Sequence, residues 1–183
     1  NAVEIGLSGN TTRMGRLLAP FGIRYVAVVE RSTPSFSTGI DRSVGPRVRQ
    51  ALGSQLDLRP LAADPSVSVL LNESWMSSRA QFADPVRLAG LDEPGELVVT
   101  DLTLGIPVLT DRRTVREQRG FVGVGEVLVA EAFDGNWRLL VDDRVIMPAP
   151  SFGWAMRFNS PVEGPAVLWH IRPDQVADRA VVQ

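Results

Sequence analysis

The C-terminal half of the chain carries the clearest alternation of apolar and polar positions. Trp137, Leu139 and Val141 are spaced two residues apart, which is the period of a half-buried strand. Further apolar runs lie at 127–133, 145–147, 154–158 and 166–171. Turn-forming or ladder-breaking residues separate them at 134–136, 142–143, 148–150 and 161–165. The pattern predicts consecutive antiparallel strands over residues 125–172, arranged as a β-sandwich-like module.

The N-terminal part of the chain mixes helix and strand signals. Apolar residues from position 14 to 18 suit one helical face, and Asn10-Thr11-Thr12 offers capping oxygens just before them. Pro20 and Gly22 are expected to end this helix. Residues 23–29 form a β-branched run that is typical of a buried strand.

A second helix and a hairpin follow in the sequence. The helix is predicted over residues 44–52, with Pro46 in its first turn and Gly53 as its stop. Two alternating runs, 56–61 and 67–71, then flank a proline-containing turn at 63–66 and predict a hairpin. The first seventy or so residues therefore predict a small α/β lobe.

The middle of the chain gives weaker signals. Residues 96–100 and 106–109 are expected to be strands, with a turn at 92–95, whereas 111–120 is charged and is expected to be a connector or an exposed helical turn. We therefore predict an α+β fold. Its parts are an α/β lobe at 1–75, a connecting segment with short strands at 76–120, and a β-sandwich-like lobe at 121–183, packed as one unit.

Composition narrows the possible functions. The chain of 183 residues is 44% hydrophobic and 22% charged, which indicates a globular protein. A net charge of −2 gives no basic field for nucleic acid. Cysteine is absent and one histidine is present, so we expect no thiolate or histidine-rich metal site and no cofactor. The chain begins without methionine, so we expect it to be an excised piece of a longer protein. The sequence shows no signal peptide or membrane-spanning run, and in an excised piece this says nothing about the parent protein.

Few residues suggest catalysis. To take part in catalysis, His170 would need a nucleophile such as Ser151 or Ser160 within about 3 Å. The spacing of these residues in the sequence does not indicate a catalytic triad. The neighbouring acids are more typical of solvated turns than of a glycosidase pair; they are Asp92, Glu93, Glu96, Asp142 and Asp143. We expect a structural or surface histidine and no catalytic residue.

Tryptophan offers the candidate binding site. Exposed aromatic faces stack on sugar rings, and two of the four tryptophans stand at strand ends or after a proline break: Trp75 and Trp154. Arg157 and Asn136 are the polar partners expected beside them. The other two, Trp137 and Trp169, lie in alternating runs and are predicted to be core.

Three segments carry a family resemblance. Residues 15–29 read GRLLAPFGIRYVAVV, residues 56–80 read LDLRPLAADPSVSVLLNESWMSSRA, and residues 131–158 read EAFDGNWRLLVDDRVIMPAPSFGWAMRF. They resemble a helix leading into a "GVRYVVV" strand, the next hairpin and a closing hairpin in extracytoplasmic domains of actinobacterial membrane glycosyltransferases. These are of family 2 and lipid-linked-sugar GT-C-like types, with related YfhO-like membrane proteins. Asp143 stands where these proteins carry glycine.

The resemblance covers about residues 13–80 and 125–172 and implies a role. In such proteins the catalytic acids lie in other domains or loops, so the chain would be a non-catalytic lobe at the extracytoplasmic face of the cell membrane. Its expected partners are the membrane-embedded part of the same chain and an envelope glycan. The resemblance leaves three roles open for it: holding the acceptor glycan, bracing the membrane domain, or docking another envelope protein. The alternatives are a stand-alone carbohydrate-binding or protein-docking module and, less favoured, a hydrolase.

Overall fold

Two compact units make up the protein, and each is built from two stretches of the chain. The computed structural model describes residues 2–29, 45–61, 66–83, 88, 91 and 93–171. Unit 1 comprises Asn1–Met76 and Pro94–Thr103, and unit 2 comprises Ser77–Glu93 and Leu104–Gln183. Residues 76–120, which were expected to connect two lobes, are divided between the units.

Unit 1 combines short helices with one antiparallel sheet. Its described helices are α1 (Ala2–Leu7), α2 (Met14–Leu18), α3 (Pro46–Gly53) and α4 (Pro94–Val99). Its described strands are β1 (Tyr25–Val29), β2 (Leu58–Pro60) and β3 (Val67–Asn72), in the order β1-β3-β2. The apolar faces of helices and sheet meet in a core that includes Met14, Leu18, Leu52, Leu58 and Leu70.

A buried carboxylate holds the start of α2. Asp57 is 4% exposed, and its Oδ1 accepts the Gly15 N–H at 3.0 Å while Oδ2 accepts the Arg16 N–H at 2.9 Å. The Ser74 hydroxyl also donates to Oδ2, at 3.3 Å. These backbone groups are among the donors that a helix leaves unpaired at its first turn. The expectation that residues 10–12 cap α2 is therefore wrong, because a side chain some forty residues later supplies the acceptors.

Two buried amides complete this cluster. Gln55 Oε1 accepts the Met14 N–H at 2.8 Å, and Asn72 Nδ2 donates to the carbonyls of Gly15 and Ile23, each at 2.9 Å. A Cβ on Gly15 would lie 2.4 Å from Asn72 Oδ1. The cluster thus ties α2 to the sheet and leaves no room for a side chain at position 15.

Strand β1 departs from its expected burial. Its residues alternate between exposed and half-buried, with Tyr25 51% and Val29 55% exposed. Val26 and Val28 pack on the core of unit 1, whereas the other face lies outside it. The prediction of a fully buried strand is wrong, because β1 is an edge strand paired with β3 in a sheet covered on one face.

Other local predictions for unit 1 are confirmed. Helix α3 begins at Pro46 and ends at Gly53, and Gly22 takes the left-handed φ of 67° where the turn after α2 ends. β2 and β3 pair antiparallel as a hairpin, with Leu58 opposite Asn72. The turn predicted at residues 63–66 lies mostly outside the described residues.

Unit 2 is a sandwich of two five-stranded antiparallel sheets, as far as the described ranges show. The strands are β4 (Arg79–Phe82), β5 (Ile106–Pro107), β6 (Asp111–Thr114), β7 (Glu117–Val122), β8 (Gly125–Val129), β9 (Trp137–Val141), β10 (Arg144–Ile146), β11 (Ala149–Ser151), β12 (Ala155–Ser160) and β13 (Gly164–His170). Their orders in the two sheets are β10-β9-β13-β7-β6 and β11-β12-β8-β4-β5. With unit 1, they confirm the predicted α+β class.

The sandwich core follows from the period of two. Alternate residues are buried in β9, at positions 137, 139 and 141, and in β13, at positions 164, 166 and 168. The core draws residues from both sheets: Val108, Leu109, Val122, Val127, Val129, Trp137, Leu139, Val141, Met156, Phe158, Ala166 and Leu168. Trp137 is thereby confirmed as core, whereas Trp169 is half-buried on the opposite face of β13.

The strands of residues 125–172 are antiparallel, but only some of them pair with the next strand along the chain, as β9 does with β10 and β11 with β12. β8 pairs with β4 and β12, whereas β9 pairs with β10 and β13. The segment after β8 passes from one sheet to the other, and Pro148 stands where the chain returns. Apolar alternation fixes which side chains face inward, and it says nothing about which strand lies alongside.

Two predictions in the middle segment are wrong. Residues 96–100 were expected to form a strand and instead belong largely to α4, where Pro94 and Glu96 provide helix-start signals. Residues 111–120 were expected to form a connector or a helical turn, and they form most of the β6–β7 hairpin. β6 is exposed throughout because it is a charged edge strand, a common way to prevent further pairing.

Candidate functional site

A polar surface pocket opens in unit 2 where the chain leaves β5 and enters β6. Its volume is about 290 Å³. It is lined by Ser77, Ser78, Arg79, Val108, Leu109, Thr110, Arg112, Gln118 and Glu131. These residues come from four strands or their ends, so the pocket, here called the Arg79 pocket, exists only once both sheets have formed.

Arg79 is the centre of this pocket. Its Nε donates to Gln118 Oε1 at 2.7 Å, and its Nη2 donates to the Glu131 carboxylate. The Arg79 side chain is 13% exposed and that of Glu131 is 36% exposed. The guanidinium is therefore fixed in orientation, while the carboxylate still faces solvent.

Backbone strain accompanies the pocket. Leu109, which is 3% exposed, has a φ of 54°, a left-handed conformation that is uncommon for a residue with a side chain. A Cβ on Gly120 would lie 2.8 Å from the Leu109 nitrogen, so glycine at 120 is what allows this close approach. Such conformations cost about 1–3 kcal/mol each and cluster at ligand sites.

The predicted site residue Trp154 lies beside the loop that carries Glu131. Phe152 and Gly153, with φ of 54° and 67°, form the turn between β11 and β12, and Trp154 follows them half-buried. The Trp154 carbonyl accepts the N–H of Phe133, two residues beyond Glu131, at 2.7 Å. Trp154 does not line the Arg79 pocket, but its backbone is bonded to the loop that also carries Glu131 of the pocket.

The predicted polar partners occupy different places in unit 2. Asn136 is exposed, and its N–H donates to Asp134 Oδ1 at 2.9 Å in the loop that also contains Phe133. Arg157 lies further along β12, where Nη1 donates to Glu126 Oε1 at 2.7 Å. Asn136 thus lies in the loop whose Phe133 is hydrogen-bonded to Trp154, whereas Arg157 is engaged in a partly buried ion pair.

Trp75 belongs to unit 1, unlike the other three predicted residues. Its indole N–H donates to the Gly22 carbonyl at 3.0 Å, and the Arg24 guanidinium lies 4.9 Å from the ring centroid. The ring is half-buried, and a cation covers one face. These contacts anchor Trp75 within its own unit.

The side chains weighed for hydrolysis are bonded elsewhere. His170 Nε2 lies 2.7 Å from Asp134 Oδ2, and the ring packs edge-on against Trp137 at 5.2 Å. The hydrogen bond from His170 is the main reason that the pKa of Asp134 is lowered from its ordinary value. Ser151 Oγ donates to the Leu88 carbonyl at 3.0 Å, and Ser160 Oγ to the Val162 carbonyl at 2.7 Å. Neither serine hydroxyl is paired with the histidine.

Sequence reasoning missed the Arg79 pocket. Its polar residues are separated by up to 54 positions. The pairing of β4 with β8 brings Arg79 close to Glu131, and the packing of the two sheets brings Gln118 of β7 to Arg79. One usable signal is Gln118, which lies on the inward face of β7, where the strand alternation calls for an apolar residue and burial demands a hydrogen-bonding partner.

Neither a membrane-crossing helix nor a cluster of metal-ligating side chains is found in the described ranges. Across the described ranges, no helix combines the length and apolar character that a membrane crossing requires. No group of three or more His, Asp or Glu side chains in those ranges could hold a metal ion.

Comparison with known proteins identifies no family. Searches with this chain found no matching family model, no matching curated protein and no matching solved structure.

Proposed function

We propose that this chain is a non-catalytic extracytoplasmic domain of a membrane-embedded glycosyltransferase. In this role it serves the assembly of cell-envelope polysaccharide or glycolipid and holds the acceptor glycan. The resemblance of the three segments at 15–29, 56–80 and 131–158 to such domains supports this proposal, and the catalytic groups belong to other parts of the parent protein.

The observation that carries the proposal is the contrast between two sets of polar side chains. His170, Ser151 and Ser160, the candidates for hydrolysis, are bonded inside the fold. Arg79 and Glu131, by contrast, line a pocket with a solvent-facing carboxylate. Such a combination favours binding over bond cleavage.

The location is tested by labelling a single cysteine in the full-length protein. The chain contains no cysteine, so Asp143→Cys, in the exposed β9–β10 turn, introduces one accessible thiol within it, in a parent background cleared of other reactive thiols. A membrane-impermeant maleimide should label intact cells expressing this variant. Leu139→Cys, buried in the core, is the matched control and should react only after unfolding. Labelling of Asp143→Cys that requires cell lysis would refute an extracytoplasmic location.

A stand-alone carbohydrate-binding or protein-docking module is the second candidate. The Arg79 pocket favours it equally, because the pocket does not depend on a membrane partner. The full-length gene separates the two: many hydrophobic spans in the same reading frame support the glycosyltransferase domain, and a secretion signal alone supports the module.

A further inference from the structure

We propose that the Arg79 pocket binds the terminal sugar of an envelope glycan and that Trp154 carries the adjoining ring. This inference rests on the proposed function, because it names the site through which the domain would hold its acceptor.

The mixture of donors and acceptors in the pocket selects the ligand class. Arg79 can only donate hydrogen bonds and Glu131, when ionised, can only accept them, whereas Gln118 and Thr110 do both. A simple anion would require donors alone, and a cation would require acceptors alone. A hydroxyl group donates and accepts, so a polyhydroxylated ring matches this lining better than either ion.

Pocket size and floor indicate a single ring. A volume of about 290 Å³ lies at the lower end of small-molecule sites, which span roughly 300–1,000 Å³. Val108 and Leu109 form its floor, and both are largely buried in the core of unit 2, so the floor is rigid. The pocket therefore fits one terminal residue of a chain.

The polar groups are held ready for a ligand. Gln118 and Glu131 both accept hydrogen bonds from Arg79, so the guanidinium does not need to be ordered when a sugar enters. Fixing polar side chains in advance lowers the entropy lost on binding.

Trp154 extends the site beyond the pocket. The chain runs from Glu131 at the pocket to Phe133, whose N–H donates to the Trp154 carbonyl. Trp154 is a half-buried residue beside this loop, and in this proposal its aromatic ring stacks on the sugar that follows the terminal one. The proposed site therefore takes an oligosaccharide rather than a single sugar.

The first test titrates the 183-residue chain with arabinan and galactan oligosaccharides and follows tryptophan fluorescence. Wild type should give a saturable shift. Glu131→Gln keeps the size of the side chain and removes its charge, and it should weaken binding at least about tenfold. Thr110→Val, at the exposed rim, should weaken binding by a smaller factor. Arg144→Ala, exposed on β10 and outside the pocket, is the control and should bind as wild type does.

The second test separates the two parts of the site. Trp154→Ala should weaken oligosaccharide binding about tenfold and leave the binding of a single methyl glycoside, measured by calorimetry, unchanged. Glu131→Gln should weaken both. An equal loss for both ligands in Trp154→Ala would overturn the assignment of the second ring to Trp154.

Three results would overturn the pocket assignment. Undiminished glycan binding by Glu131→Gln would place the sugar elsewhere. Tighter binding of sulfate than of any glycan would make the pocket an anion site. An absence of binding by the folded chain would remove the sugar site altogether, and the cysteine labelling would still decide the location of the domain independently.

Discussion

Removal of the Asp57 carboxylate should destabilise unit 1 more than any surface substitution. In Asp57→Ala the N–H of Gly15 and the hydroxyl of Ser74 lose the acceptor supplied by a side chain that is 4% exposed. The N–H of Arg16 loses its shorter bond and keeps the one to the Arg13 carbonyl at 3.2 Å. A buried group left without a hydrogen-bonding partner costs about 1–3 kcal/mol. Water entering the vacated space can satisfy part of this set, so we expect a loss of about 3 kcal/mol in the free energy of unfolding.

Urea denaturation and amide exchange measure this effect. The unfolding free energy comes from the linear dependence on urea, and exchange of the position 15 and 16 amides reports unit 1 directly. A loss of about 3 kcal/mol corresponds to roughly a hundredfold faster exchange through opening. Asp57→Asn, which keeps one acceptor oxygen, should lose less. Asp143→Ala, an exposed acid in a turn, should change stability by less than about 0.5 kcal/mol. If Asp57→Ala matches Asp143→Ala, the carboxylate does not hold α2.

Two further predictions concern unit 2. Gly120→Ala should lower the free energy of unfolding, measured by urea denaturation, by about 1–3 kcal/mol, because the new Cβ meets the Leu109 backbone at 2.8 Å. Gly135→Ala, which has open space around it, should be close to neutral. Equal stabilities of the two variants would contradict the close approach. The hydrogen bond from His170 lowers the pKa of Asp134, so the pair stabilises the folded state fully above the unfolded-state pKa of about 3.9. This stabilisation is lost as the pH falls through the lower pKa of the folded state. Asp134→Asn should show a shallower loss of stability on acidification, and an unchanged acid limb would argue against this pair.

Local signals in the sequence predicted much of the secondary structure. Pro46 and Gly53 mark the two ends of α3, and the alternation of residues 137–141 identifies both the strand and its buried face. These predictions succeed because backbone restriction and burial act over a few neighbouring residues.

The long-range arrangement of helices and strands could not be predicted from the sequence. The Val98-Val99 pair favours a strand by propensity, yet it ends α4, whose Val98 carbonyl accepts the Arg16 guanidinium at 2.9 Å. The Arg79 pocket likewise depends on which strands become neighbours. Of the two tryptophans proposed for glycan binding, Trp154 accepts a hydrogen bond from Phe133, in the loop that also carries Glu131 of the pocket. This contact joins distant parts of the chain, so the sequence alone could not predict it.

Each unit is built from two separate stretches of the chain, and this has a consequence for synthesis on the ribosome. Unit 1 requires Pro94–Thr103, but β4 of unit 2 is made before that segment emerges. The nascent chain must therefore keep β4 unpaired while unit 1 is completed, because the partners of β4 are translated later still. For the same reason, a single protease cut at residue 76 would not release an intact N-terminal unit, and a gene truncated there would encode unit 1 without α4.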